Sequence, residues 1–151
     1  MIIQNGNIFT KEGTFREGTI RTLEDKISRL DVTTSYDETN QTTGETIIDA
    51  RGLYVLPGLV DIHTHGAVGV DFCDAKIEDF IALENYQAQN GITTVFATTM
   101  TLPKEKLINI MEKTAEFKKT DSKDIILGIS MEGPFLSKKK RGAQEKTRIL
   151  S

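Results

Sequence analysis

A chain of 151 residues has the size of one ordinary domain, and its 38% hydrophobic and 27% charged content belongs to a globular protein with a buried core, not to a disordered tail. Aliphatic runs are broken by Gly, Asp or Thr well short of the roughly 18 residues of a membrane span, and "MIIQNGN" lacks the basic and apolar segments of a leader, so no membrane partner and a cytoplasmic location are expected. A net charge of -3 argues against nucleic acid as a partner, and a single cysteine, Cys73, excludes an intrachain disulfide and reads as a small buried residue in a reducing compartment.

Residues 1–54 read as short strands and turns. "MIIQNGNIFT" and "GTIRTLEDKISRLDV" alternate apolar and polar residues, with Glu24-Asp25 where a hairpin would reverse. Residues 33–45 form a polar loop, and "TIIDARGLYVLPG" returns as strand, turn and strand. Three or four such strands leave open edges that call for pairing with strands from elsewhere.

From residue 55 onward the pattern changes to alternating strand and helix. "VLPGLVDIHTH" reads as a strand of the buried type. "KIEDFIALENYQAQNG" reads as a helix with Ile77, Phe80, Ile81 and Ala88 on one face and Gly91 closing it. "ITTVFATTM" is the next strand. Pro103 opens a second helix with Leu107, Ile108, Met111 and Ala115 facing inward, and "DIILGISMEGPF" carries a third strand. This βαβαβ order implies parallel strands with crossover helices, as in a doubly wound sheet or the opening part of a (β/α) barrel. A complete eight-stranded barrel takes about 250 residues, so the segment 55–151 holds only its first part.

The chain has two histidines, and both stand in "DIHTHG". Side chains of a strand alternate faces, so His63 and His65 point the same way with Cα atoms about 6.5–7 Å apart, and both imidazoles can converge on one divalent ion. Asp61 shares that face one step deeper and is placed to orient an imidazole. The pair falls at the carboxyl end of its strand, where parallel α/β folds gather their chemistry. Glu132 repeats the arrangement at the end of "GISMEG", before Gly133-Pro134 turns the chain, and a carboxylate there is stabilised as the anion beside a cation. "KKKR" at 138–141 reads as a solvated basic loop, and Ser130 and Thr99 as structural hydroxyls with no base to activate them.

"GLYVLPGLVDIHTHG" resembles the first barrel strand of the amidohydrolase superfamily. Together, "DIHTHGAVGVDFCD", "GITTVFATTM" and "SMEGPFLSKKKRGAQ" are similar to the N-terminal portion of the N-acetylglucosamine-6-phosphate deacetylase family. The resemblance covers residues 1 to about 145 and implies a (β/α)8 TIM-type barrel preceded by a small β-sandwich segment, here truncated. It also implies a homodimer for the full-length protein and hydrolysis of N-acetylglucosamine 6-phosphate to glucosamine 6-phosphate and acetate. His63, His65 and Glu132 match metal ligands for one or two divalent ions, zinc or iron. Ala143 and Gln144 match the pair that touches the amino-sugar phosphate, with Gln144 standing where many relatives carry His. The family's general acid/base aspartate and two further histidine ligands have no counterpart in this chain, so the isolated 151 residues are expected to be inactive. Two other readings stay open: a non-catalytic metal-binding or assembly fragment, and another amidohydrolase such as a dihydroorotase-like cyclic amidase.

Overall fold

The computed structural model describes residues 1–32, 44–120, 123 and 125–150, and the chain divides into two compact units, Met1–Pro57 and Gly58–Ser151. The polar loop expected over 33–45 falls almost wholly outside the described residues. No helix of the described residues is long and apolar enough to cross a membrane.

The first unit is a mixed sheet of five strands: β1 (Ile2–Phe9), β2 (Phe15–Leu23), β3 (Lys26–Asp31), β4 (Ile47–Asp49) and β5 (Tyr54–Val55). The order is β3-β2-β1-β4, with the antiparallel meander β1-β2-β3 on one side and β4 and β5 both parallel to β1. The β2–β3 hairpin turns at Glu24-Asp25, as the alternation predicts, and Glu24 takes the left-handed conformation the tight reversal needs (φ 54°). Where β1 passes β5 the chain requires glycine: a Cβ on Gly6 would lie 2.6 Å from the Val55 side chain. Ile2, Ile8, Ile20 and Ala50 are buried. Among the described residues of this unit every strand joins β1 or its hairpin partner β2 by backbone pairing, so the five strands make one sheet.

The second unit runs β6 (Leu59–Thr64), β7 (Gly66–Ala67), β8 (Val70–Asp71), α1 (Ile77–Gln89), β9 (Ile92–Thr99), α2 (Lys104–Thr120) and β10 (Ile126–Met131). Strands β6, β9 and β10 pair in parallel with β9 in the middle, which realises the expected βαβαβ order, and β7 and β8 form a small antiparallel ribbon between β6 and α1. Val95 and Ala97 of β9 and Ile126 of β10 bury against Phe80 and Leu83 of α1 and Phe117 of α2. The Phe80 and Phe117 rings lie 5.1 Å apart, a separation that favours a tilted aromatic pair.

Three local expectations are corrected. β6 is not of the buried type: Val60 and Ile62 are 59% and 67% exposed, because among the described strands only β9 pairs with it. On α1 the buried face is Phe80, Leu83, Glu84 and Gln87, with Ile81 exposed; on α2 it is Leu107, Ile110, Thr114 and Phe117, with Ile108 exposed. Both helices are rotated from the purely apolar stripe because polar residues enter the interior with partners. The Glu84 carboxylate accepts the Ile126 N–H (3.2 Å), and the Thr114 hydroxyl donates to the Ile110 carbonyl of its own helix (2.9 Å). The helix ends follow the sequence more closely. Asp79 accepts the Lys76 N–H (2.9 Å) at the start of α1, while Asn90 and then Gly91, at φ 77°, close it.

Candidate metal centre

The parallel register of β6, β9 and β10 brings their carboxyl ends side by side, and all three expected ligands emerge there. His63 is the penultimate residue of β6, His65 follows β6 directly, and Glu132 follows the last residue of β10. One ligand atom from each lies within 4.8 Å of the others. The carboxylate Oε2 of Glu132 is 3.3 Å from His65 Nε2 and 3.8 Å from His63 Nε2. The two imidazoles meet edge to face with centroids 5.2 Å apart, so their ring nitrogens converge while the rings avoid stacking.

Strand β9 supplies no ligand, yet it holds the ligand-bearing strand. The Thr98 hydroxyl accepts the Thr64 N–H (3.1 Å), fixing the residue between the two histidines. The Thr98 carbonyl lies 3.2 Å from His65 Nδ1. A carbonyl can only accept, so in this hydrogen bond Nδ1 is the donor, and Nε2 is the ring nitrogen that faces Glu132. Asp61 does not orient a ring as expected; its carboxylate accepts the backbone N–H of His63 (3.0 Å), the local side-chain-to-backbone bond that a short Asp side chain makes two residues on. The Glu132 backbone is held at both ends: its N–H donates to the Thr99 carbonyl (3.2 Å), and its carbonyl accepts the Thr101 hydroxyl (2.8 Å). Thr98 and Thr101 are the site residues that pattern reading passes over. The signal was present in "ATTMT", a run of hydroxyls at the carboxyl end of a central parallel strand.

Ala143 and Gln144 lie apart from this cluster, on a cleft of about 320 Å³ shared with Cys73, Thr101, Lys106 and Arg148. Ala143 is exposed, whereas Gln144 is buried and its Oε1 accepts the Thr101 N–H (3.1 Å). Lys138 to Lys140 are exposed, as a solvated basic loop should be, while Arg141 turns in and donates to the Gln144 carbonyl. Cys73 is buried; burial pushes its thiol above the usual range, and its sulfur accepts the Met100 N–H (3.3 Å).

Two imidazole nitrogens and a carboxylate oxygen form a donor set suited to zinc or another first-row divalent ion, so the residues present fit the expected group. A strand-end histidine and carboxylate cluster on parallel strands joined by helices agrees with what the amidohydrolase resemblance implies, and the proteins similar to the chain are amide-cleaving deacetylases by name. No family model matches the chain. It is 29% identical over 150 residues to the N-acetylglucosamine-6-phosphate deacetylase of Bacillus subtilis, spanning 97% of this chain and 37% of that protein, and 37% identical over 91 residues to the Vibrio furnissii enzyme of the same name, spanning 59% of this chain and 23% of that one. The crystal structure of the Thermotoga maritima N-acetylglucosamine-6-phosphate deacetylase superposes with a TM-score of 0.78 at 29% identity, over 99% of this chain and 36% of that one. The chain is thus similar to N-acetylglucosamine-6-phosphate deacetylases, and it spans little more than a third of the length of the Bacillus subtilis and Thermotoga maritima proteins.

Proposed function

We propose that the whole protein to which this sequence belongs hydrolyses the acetamide of N-acetylglucosamine 6-phosphate, releasing acetate and glucosamine 6-phosphate in the cytoplasm. In this reading residues 55–151 are the first part of a (β/α)8 barrel, residues 1–54 are part of a small β-sandwich, and the full-length protein is a homodimer.

His63, His65 and Glu132 are assigned as ligands of one or two divalent ions, zinc or iron. The observation that carries the assignment is the convergence of the two imidazoles on one carboxylate, with Glu132 Oε2 3.3 Å from His65 Nε2 and 3.8 Å from His63 Nε2. Imidazole nitrogens and a carboxylate oxygen gathered this closely are a donor set that a divalent cation can bind. A bound divalent ion lowers the pKa of water from about 15.7 toward 7 and polarises an amide carbonyl. The chain's own residues contribute position and charge. The two imidazoles are set by β6, and the anionic Glu132 balances the charge of the ion. Ala143 and Gln144 border the cleft assigned to the amino sugar. The leaving amine needs a proton from a positioned general acid, for which the lineage uses an aspartate that has no counterpart in this chain.

The test is acetate release from N-acetylglucosamine 6-phosphate by the whole protein, before and after chelation and reloading with zinc or iron. Metal-dependent release, lost on His63→Ala/His65→Ala double substitution and absent from the 151-residue chain alone, is the expected result. Undiminished release by the double variant, or turnover of a cyclic amide in place of the sugar, would overturn the reading.

A further inference from the structure

The cleft-lining Gln144 is joined to the metal cluster by an unbroken path. Its side-chain Oε1 accepts the Thr101 N–H at 3.1 Å, and the Thr101 hydroxyl donates to the Glu132 carbonyl at 2.8 Å. Both residues along this path are buried: Gln144 is 5% exposed and Thr101 2%. The path has no slack at its inner end. Gly133, at φ 89°, lies so close that a Cβ there would sit 2.1 Å from the Thr101 oxygen, so the turn after Glu132 is built around that hydroxyl.

Resting on the metal reading above, we propose that Gln144 is a positioning residue for the metal site, acting through Thr101 on the Glu132 backbone and not chiefly by contact with substrate. An amide carbonyl facing a buried backbone N–H satisfies a donor that would otherwise lie unpaired at the end of β9. Thr101 is thereby held where its hydroxyl can reach the Glu132 carbonyl. With the Glu132 N–H already bound to Thr99, both peptide groups flanking the Glu132 Cα are fixed, and the carboxylate has only its own side-chain torsions left to order when an ion binds. Side chains lacking an acceptor at 144 release Thr101 and, through it, the ligand.

The experiment titrates Co(II) into the metal-free whole protein, reading both affinity and the visible ligand-field spectrum. The variants are Gln144→Leu, Gln144→Glu, Thr101→Val and Thr101→Ser, with folding checked by circular dichroism. Leu at 144 and Val at 101 remove one link each and should weaken Co(II) binding about tenfold, with an altered spectrum. Glu at 144 keeps an acceptor oxygen and Ser at 101 keeps the hydroxyl, so both should bind within about twofold of the parent and keep its spectrum. Parent-like affinity and spectrum in Gln144→Leu and Thr101→Val would remove this proposal and leave the metal site standing. A parent that takes up no Co(II) would remove the metal reading, and this proposal with it. If a link-breaking variant fails to fold, the other one, with its conservative counterpart, decides.

Discussion

Strands β6 and β9 lie side by side in one parallel sheet and divide the labour of the site unequally. β6 carries both histidines and is open, with Val60 59% exposed; β9 carries no ligand and is buried, with Val95 and Thr98 fully covered. The strand that presents the ligands is therefore not the one that makes them rigid. Precision at a metal site comes from residues whose rotamers and backbone are locked by packing and outer hydrogen bonds, and here those reside in the neighbouring strand.

The sharpest way to break this contrast is one substitution made on both strands of the 151-residue chain. Val95→Ala deletes two buried methyl groups at about 0.8 kcal/mol each and leaves a cavity, so urea unfolding should show a loss of about 2.5 kcal/mol. Val60→Ala, one register step away on β6, should stay within about 0.5 kcal/mol. Equal losses would mean that β6 is as well buried as β9. Next in size is Thr98→Val, which keeps shape but strands the Thr64 N–H; it should cost about 1.5 kcal/mol, and the Thr98→Ser variant should recover most of that.

The smallest effect lies at the end of β9, where Met100 donates to Cys73. Burial raises the folded thiol's pKa, so the folded state favours the neutral thiol. The corresponding stabilisation is complete below the unfolded thiol value, about 8.5, and is lost as pH rises through the folded value. Alkylation by iodoacetamide near pH 8.5 should be slower in the native chain than in urea, and stability should fall on going more alkaline. Equal alkylation rates would show that the thiol is open to solvent.

The clustering of His63, His65 and Glu132 was legible in the sequence because it obeys two simple rules: period-two alternation puts His63 and His65 on one face, and parallel strands gather their ends on one side. Element order was legible for the same reason, since the period changes at residue 55. Which helix face is buried was not legible, because hydropathy sees Glu84 and Thr114 as surface residues. Their burial depends on an acceptor role toward Ile126, 42 positions away, and on a donor role toward the preceding helical turn. The roles of Asp61, Thr98 and Gln144 were hidden likewise, since each acts on a backbone amide, and residue types do not reveal which amide lies nearby.

The ribbon after His65 has one more consequence. The Phe72 N–H donates to the His65 carbonyl at 2.8 Å, so the excursion through β7 and β8 leaves and rejoins the fold at the same ligand residue. Its tip, at Val68 and Gly69, is exposed and in the left-handed region. The ribbon is thus a side loop closed at its base by that hydrogen bond, and its outer end can carry a spectroscopic label within a few residues of the histidines while their strand keeps its register.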